Sequence, residues 1–395
     1  MERLNMKVLI ITTAFPRWMG DGRGNFVYEA AQAIKRQGCQ VRVIAMHNPG
    51  AKTHEWMDGI EVIRPRYLPE RWEILAKDSA GLPQAWRTNP WAKLALLPFL
   101  VVHTLNVLRY APQADILHAN WTLSGMVAWL TQRLHRKPYV VTVQGSDVFQ
   151  GLKIPLVRQL SLWALKHARF VFALSHALAR EVQELGIQAD QIKIVPNGVN
   201  LGSIRNILQE ESSHEPVILF VGSLFWRKGV THLLEAFHQI CGEIPGYRLV
   251  FVGEGDQREI LEQRTRETGL ENRVVFTGNL PHDDVIRWMR LARVFVLPSV
   301  EEGQGVVLLE AMACGTPCVG SNVGGIPDIV TPECGWLFEP ENVQELASTL
   351  RNSILQKEEW EEKSYNSRNR VENIYDWDKI AFSILRYYQD AKGER

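Results

Sequence analysis

Short runs of apolar and β-branched residues alternate with longer amphipathic segments along almost the whole chain. This alternation is typical of βα units, in which parallel strands form a sheet and helices cover its faces. The predicted strands are Lys7–Thr12, Val41–Met46, Ile116–His118, Tyr139–Val143, Phe170–Leu174, Ile192–Val195, Val217–Val221, Leu249–Val252, Val274–Phe276, Val294–Leu297 and Pro317–Val319. The predicted helices are Phe26–Gln37, Trp91–Tyr110, Leu123–Leu134, Leu156–Lys166, Ala177–Leu185, Val230–Ile240, Gln257–Thr268, Asp283–Leu291 and Val306–Ala313. The sequence therefore predicts doubly wound α/β sheets.

A chain of 395 residues is long enough for two such domains, each with its own core. Residues 201–215 are polar and lack a strand pattern, so we place the domain boundary after residue 200. The sign of the net charge changes there: residues 1–200 contain 24 Lys and Arg against 14 Asp and Glu, and residues 201–395 contain 20 against 30. The basic first half favours a phosphate-rich partner or an anionic surface. The balanced total of 44 against 44 argues against a dedicated nucleic-acid-binding protein.

The cysteine pattern and the hydropathy predict a reduced, cytoplasmic protein. The five cysteines are scattered and lack the paired spacing of a zinc site. No basic and then apolar signal segment precedes the first strand. The longest apolar run, Trp91–Leu108, contains Lys93, Pro98, His103 and Asn106, which argue against a membrane span.

Ligands of parallel sheets bind at the carboxyl ends of the strands, beside the N-termini of helices. Two candidate segments of the first half follow strands. Gly20, Gly22 and Gly24 precede a helix, where glycine lets the backbone approach a phosphate, although a surface turn explains them as well. They do not match the GxGxxG pattern of nicotinamide sites. The second segment, from Gln144 to Asp147, has an ordinary turn as its equal alternative.

Two further segments lie in the second half. Arg227 and Lys228 precede a helix that begins after Gly229, and paired cations at such a place would bind a diphosphate. A solvated loop is the alternative. Glu302 lies in the loop after the strand that ends near Pro298, and Glu310 lies in the apolar helix that follows. A carboxylate there is costly unless it is hydrogen-bonded, and sugar hydroxyls are suitable donors.

Glu302 and Glu310 enclose seven residues, and this spacing resembles the E-x7-E element of retaining GT-B glycosyltransferases, specifically glycosyltransferase family 4. Other segments resemble that family's motifs in the same order along the chain. They are His118–Trp121, Leu174–Ser175, Ile194–Asn200, Phe251–Gly255, Phe276–Gly278 and Val323–Asp328. The resemblance covers nearly the whole chain and implies two Rossmann-like domains facing across a cleft.

By this resemblance, residues 1–200 bind the acceptor, residues 201–375 bind a nucleotide sugar, and residues 376–395 form a helix that returns to the first domain. Glu302 would bind hydroxyls of the transferred sugar, Lys228 and Arg227 the phosphates, and Glu310 the nucleotide ribose. The other implied donor-site residues are Gly24, Gln144, Gly222, Ser223, Gly278, Gly303, Gly305, Val306 and Val307. Asn120 and Asp147 are the acceptor-side candidates. The implied donor is a UDP-sugar, with GDP-mannose next, and neither a metal nor another cofactor is expected.

The chain departs from the family pattern at three positions. Ser223 replaces a usual Arg, Gln144 replaces a frequent His, and Asn120 replaces a second frequent His. Because Gln cannot act as a general base, the sequence fits a front-face substitution in which the leaving phosphate takes the acceptor proton. The alternative function is a catalytically silent carbohydrate- or nucleotide-binding scaffold on the same fold. A periplasmic-type sugar-binding protein with two lobes would need a signal peptide.

Cations and aromatic residues interleave between residues 64 and 93. They are Arg64, Arg66, Tyr67, Arg71, Trp72, Lys77, Trp86, Arg87, Trp91 and Lys93, partly offset by Glu70, Glu73 and Asp78. The apolar run Leu94–Val102 follows. Two interpretations stay open: a peripheral patch that binds the anionic inner leaflet and reaches a lipid-linked or cell-envelope acceptor, or a core helix preceded by a solvated loop.

Overall fold

The protein is described here by a computed structural model that covers residues 5–75, 91–149, 155–208 and 214–393. The chain divides into two compact units, residues 1–197 with 377–395 and residues 198–376. The first unit therefore contains both ends of the chain. The division falls between Asn197 and Gly198, whereas the sequence placed it after residue 200.

Within the residues that the structure describes, each unit contains one sheet. The strands of the first are β1 (Lys7–Thr12), β2 (Gln40–Ala45), β3 (His54–Met57), β4 (Ile60–Ile63), β5 (Ile116–Asn120), β6 (Tyr139–Val143), β7 (Phe170–Ala173) and β8 (Ile192–Ile194). Their order is β3-β4-β2-β1-β5-β6-β7-β8, and all pairings are parallel except that of β3 with β4. The second sheet comprises β9 (Glu215–Val221), β10 (Arg248–Val252), β11 (Val274–Gly278), β12 (Ala292–Leu297), β13 (Cys318–Ser321) and β14 (Gly335–Phe338). It is parallel in the order β11-β10-β9-β12-β13-β14.

Helices connect these strands, as the alternating pattern predicts. Those of the first half are α1 (Asn25–Arg36), α2 (Trp91–Tyr110), α3 (Thr122–His135), α4 (Ser146–Phe149), α5 (Pro155–His167) and α6 (His176–Glu184). Those that follow are α7 (Leu201–Ile207), α8 (Val230–Ile240), α9 (Arg258–Glu267), α10 (His282–Leu291), α11 (Val306–Ala313), α12 (Ile326–Ile329), α13 (Val343–Leu355), α14 (Lys357–Ile374) and α15 (Trp377–Lys392). The predicted pair of doubly wound α/β domains is confirmed.

The two faces of the first sheet carry different helices because successive strand residues point to opposite sides. Leu9 of β1 packs in a cluster with residues of α2, α3, α5 and α6. Its neighbour Ile10 packs in a second cluster with residues of α1 and α15. The second unit has a single large apolar core in which Phe220, Phe251 and Phe295 are fully buried.

Helix α2 has one packed side and one exposed side. Ala95 and Phe99 are buried, whereas Leu94 and Leu97 are 66% and 69% exposed. The Leu94–Val102 segment is therefore neither a fully buried core helix nor a free one. In the described part of the chain, one helical segment, Leu94–Gln113, is long and apolar enough to cross a membrane. Length and composition alone indicate this, and 28% of the segment's most apolar window is buried.

The structure corrects part of the predicted basic and aromatic segment. The side chain of Arg64 is buried, where it pairs with Glu55 at 2.6 Å and donates to the carbonyl of Pro16. Tyr67 is also buried. These two residues therefore do not contribute to a surface patch. Lys77, Asp78, Trp86 and Arg87 lie outside the described residues.

Candidate functional site

An ion pair joins two loops at the carboxyl ends of the neighbouring strands β9 and β12. Nζ of Lys228 lies 2.5 Å from Oε2 of Glu302, and the side chains are 20% and 13% exposed. The Ser299 hydroxyl donates to the same carboxylate oxygen at 3.2 Å. The backbone N–H of Val300 donates to the carbonyl of Arg227 at 2.7 Å, so the main chains of the two loops are also bound together.

Glycines make this close approach possible. Gly229 has a φ of 64°, and a Cβ there would lie 1.9 Å from the carbonyl oxygen of Pro298. Gly324 has a φ of 57°, and a Cβ there would lie 1.8 Å from the carbonyl oxygen of Glu302. Only glycine satisfies both the left-handed backbone and the contact at each position. The loop that carries Glu302 is therefore held against backbone on two sides.

Helix α11 begins beside Glu302. Gly305 has a φ of 91° at the cap position, and it has no side chain to accept from the first turn. The N–H groups of Val306 and Val307 belong to that turn, where a helix favours an anion. Gly303 lies in the preceding loop together with the buried Gln304.

Glu310 contacts a residue that sequence reasoning missed. Its Oε1 lies 3.0 Å from Nε2 of His282, the first residue of α10. The Glu310 side chain is 17% exposed and that of His282 is 43% exposed. No sequence spacing indicated this pair, because it depends on the packing of α10 against α11.

The remaining donor-side candidates of the second unit lie at the ends of its strands. The N–H of Gly222 donates to the carbonyl of Val252 at 3.0 Å, and the N–H of Gly253 donates to the carbonyl of Gly278 at 2.9 Å. Ser223 follows in the β9 loop. The guanidinium of Arg227 lies 5.7 Å from the ring centre of Phe225.

Three candidates of the first unit come together after β5 and β6. The Gln144 amide donates to Oδ1 of Asn120 at 3.4 Å. Asp147 is buried and accepts from the N–H groups of Thr122 at 2.9 Å and Gln144 at 3.0 Å. Burial raises the pKa of Asp147, although these N–H groups oppose the shift. The Asp147 carboxylate thus holds the start of α3 against the loop after β6, and its acceptor-side role stays a prediction.

Trp121 stands beside Asn120 in an unusual backbone conformation. Its φ of 66° and ψ of 152° are rarely adopted by residues with a side chain, and such strain is often found at functional sites. Its indole lies 5.7 Å from the ring of Phe26 at the start of α1. Gly24, also with a positive φ, precedes α1, and a Cβ there would lie 2.6 Å from the carbonyl of Ala14.

The site of the second unit can bind an anionic, hydroxyl-rich ligand. Lys228 and the first turn of α11 supply positive charge and N–H donors for phosphate. Glu302 and Glu310 supply acceptors for hydroxyl groups. Among the described residues, no group of three or more His, Cys, Asp or Glu side chains is arranged to hold a metal ion.

Comparisons with known proteins agree with this geometry. Residues 205–370 match the family model "Glycosyl transferases group 1", and residues 21–198 match "Glycosyl transferase 4-like domain". The chain is 32% identical over 357 residues to a 2-deoxystreptamine glucosyltransferase of Streptomyces kanamyceticus, covering 83% of this chain and 88% of that protein.

Solved structures show the same fold. A sucrose-phosphate synthase from Thermosynechococcus elongatus has a TM-score of 0.79 at 23% identity, covering 99% of this chain and 100% of the other. The Anabaena protein HepE in complex with UDP-glucose has a TM-score of 0.72 at 20% identity, covering 98% and 100%. Both are similar to this chain over its two Rossmann-like domains, so the predicted GT-B fold class is confirmed.

Proposed function

The chain belongs to the group 1 glycosyltransferases, and from this premise we propose that it transfers a sugar from a nucleoside diphosphate to a hydroxyl acceptor with retention of the anomeric configuration. The observation that carries the proposal is the Lys228–Glu302 pair beside the start of α11, where the cap residue Gly305 has no side chain to accept from the first N–H groups. Together they offer a cation and backbone N–H groups for a diphosphate, and a carboxylate for sugar hydroxyls.

In the proposed reaction the bond between the anomeric carbon and the β-phosphate oxygen breaks, and the acceptor oxygen bonds to the same face of that carbon. The leaving phosphate takes the acceptor proton. Lys228, Arg227 and the first N–H groups of α11 stabilise the negative charge that develops on the phosphate. Glu302 binds hydroxyls of the transferred sugar, and Glu310 binds the ribose. This mechanism requires no metal.

A UDP-sugar is our first choice of donor and GDP-mannose our second. The structural similarity to HepE, which was solved with UDP-glucose, supports this order. For the acceptor we propose a lipid-linked or cell-envelope glycan, reached from the cytoplasmic side of the membrane.

The first experiment is a thermal-shift screen with UDP-, GDP- and ADP-sugars, because a ligand that binds only the folded state raises its apparent stability. Transfer from the best donor is then followed with and without EDTA, and NMR assigns the anomer of the product. We expect a retained anomer and full activity in EDTA. An inverted product or an absolute metal requirement would contradict the mechanism. Specific binding without transfer or hydrolysis would favour the silent scaffold.

Single-residue variants test the proposed role of each site residue separately. Lys228→Ala should weaken donor binding and slow transfer, by about 2–4 kcal/mol in transition-state stabilisation. Glu310→Gln should mainly weaken donor binding, and Glu302→Gln should mainly lower kcat. Lys357→Ala is the matched control, since this lysine of the same unit is exposed and its nearest carboxylate, Glu361, is 3.8 Å away. Wild-type kinetics in the first three variants would place the site elsewhere.

A further inference from the structure

Three neighbouring helices of the first unit, α2, α3 and α5, contain no acidic residue. They lie side by side on one face of the sheet, with α3 packed against both of the others. Residues 91–169 contain nine Lys and Arg but only two acidic residues, Asp115 and Asp147. Asp147 is buried. Residues 91–169 therefore carry a net charge of +7, out of +10 for the whole first half.

The outer side of α2 is an apolar stripe. Leu94, Leu97, Val101 and Leu105 follow one another at intervals of three or four residues, which places them on one face of the helix. Each is between 50% and 69% exposed. The opposite side packs into the unit through Ala95, Phe99 and Val107 and related positions. The exposed leucines are therefore not needed for the core.

The apolar surface continues onto the adjacent helices. Leu130 and Leu134 of α3 are 49% and 74% exposed, and Trp163 of α5 is 42% exposed. The ring of Trp163 lies 5.6 Å from that of Trp129, which connects α5 to α3. Exposed side chains of helices in one layer point away from the sheet, so these residues and the α2 stripe form one surface, the α2–α3–α5 face.

Exposed basic side chains lie on the same three helices, mostly at or just after their C-terminal ends. The exposed ones on the three helices and the loops that follow them are Arg109, Arg133, Arg136, Arg158, Lys166 and Arg169. Within the described residues, none of the six forms an ion pair with Asp or Glu. Other surface arginines of the same unit do form such pairs, for example Arg36 with Asp378 at 2.8 Å. The charge of this face is therefore not compensated by the protein itself.

We propose that the α2–α3–α5 face binds the surface of an anionic lipid bilayer, with α2 lying parallel to the membrane plane. A helix that lies at a membrane interface needs both apolar side chains and cations without ion-pair partners. The apolar side chains enter the acyl boundary, and the cations attract anionic headgroups. The packed inner side of α2 holds the helix on the protein, so it lies on the membrane rather than crossing it. A second copy of the chain fits this face less well, because two such faces would repel each other.

Binding to the bilayer would bring the enzyme close to an acceptor that carries a lipid, and this step rests on the proposed function. An enzyme held at a bilayer surface meets its acceptor by diffusion in two dimensions when that acceptor carries a lipid. Binding to the bilayer is itself independent of sugar transfer. The two proposals can therefore fail separately.

The test is co-sedimentation of the full chain with vesicles of equal parts phosphatidylglycerol and phosphatidylcholine, or of phosphatidylcholine alone, at low and high salt. We expect at least tenfold tighter binding to the anionic vesicles at low salt. The double variant Leu97→Asp with Leu105→Asp should lose more than tenfold in binding. Vesicle binding by the double variant Arg133→Glu with Arg158→Glu should fall by about fivefold for each cation replaced. All four positions are exposed, so the fold should tolerate the changes.

The control variants are Leu355→Asp and Arg264→Glu, which change an exposed leucine and an exposed arginine of the second unit. They should bind vesicles as the wild type does. Hydrolysis of a soluble nucleotide sugar should be the same in all variants. Equal binding to anionic and neutral vesicles, or wild-type binding by the leucine double variant, would overturn the proposal. So would a vesicle-free dimer that the leucine substitutions dissociate, because the face would then be a self-association surface.

Discussion

At the scale of single residues, His118 shows how a motif position can serve the fold rather than the chemistry. Its Nδ1 lies 2.6 Å from the hydroxyl of Tyr388 and its Nε2 lies 2.6 Å from the hydroxyl of Thr142. The ring is buried, and burial lowers the pKa of His118 to about 3. The imidazole is therefore neutral at physiological pH and joins β5, β6 and α15.

This pKa makes the stability of the first unit depend on pH. The unfolded chain binds a proton at this histidine below about pH 6.5, whereas the folded chain does not until about pH 3. The free energy of unfolding should therefore decrease as the pH falls through this range, by about 2 kcal/mol at pH 5 from His118 alone. His118→Gln cannot titrate, so its urea midpoint should fall less between pH 7.5 and pH 5. Parallel losses in both proteins would contradict the prediction.

The sequence predicted some of the site residues through their chemistry and missed others that depend on packing. Glu302 was predicted because its spacing from Glu310 resembles a family motif, and Lys228 was predicted because paired cations precede a helix. Ser299 and His282, which contact the two glutamates, were not predicted. A serine after a strand and a histidine at a helix start are common, so only the fold shows what they contact.

At the scale of elements, left-handed glycines determine whether the β9 and β12 loops can meet. Gly229→Ala would place a methyl group 1.9 Å from the carbonyl oxygen of Pro298 in addition to the left-handed strain. We expect it to separate the loops, lower the free energy of unfolding by several kcal/mol and abolish donor binding.

Gly269→Ala is the matched control. Gly269 has a similar φ of 69°, but no atom lies within 4 Å of its Cβ position. The Gly269→Ala substitution should lower the free energy of unfolding by only about 1–2 kcal/mol and leave donor binding unchanged. Equal losses in the two variants, measured by thermal unfolding and by the donor-induced thermal shift, would show that backbone strain alone is responsible.

Most strands and helices could be predicted because each had a buried apolar run or an amphipathic repeat. Among the described residues, the elements that sequence analysis missed are strands β3, β4 and β14 and helices α4, α7, α12, α13 and α14. Strand β3 lies at the sheet edge, and His54 and Trp56 on it are exposed, so it lacks the apolar run of a buried strand. Strand β14 also lies at an edge and begins with Gly335, a poor strand former. Both depend on a neighbouring strand that the local sequence does not indicate.

At the scale of the whole molecule, the first unit is built from both ends of the chain, and its last helix comes after the second unit in the sequence. After leaving at Asn197, it returns at Trp377, and α15 packs against α1. The Trp377 indole donates to Glu29 at 2.9 Å, and Arg36 pairs with Asp378. The resemblance described above implied a helix at residues 376–395 that returns to the first domain. The fold of the first unit therefore depends on residues that lie beyond the second unit in the sequence.

We predict that deletion of residues 377–395 unfolds the first unit. The apolar side chains of α15 that would be lost are Trp377, Ile380, Ile384, Leu385 and Tyr388, each at most 4% exposed. Burying each contributes about 1.5–3 kcal/mol, so their sum is comparable to the ~5–15 kcal/mol that stabilises a typical domain. Limited proteolysis should then digest residues 1–197 and leave a resistant fragment within residues 198–376, which has its own core. Deletion of residues 393–395 alone should leave the pattern of the full chain. A truncated chain whose first unit resists protease as well as the wild type does would show that α15 is dispensable.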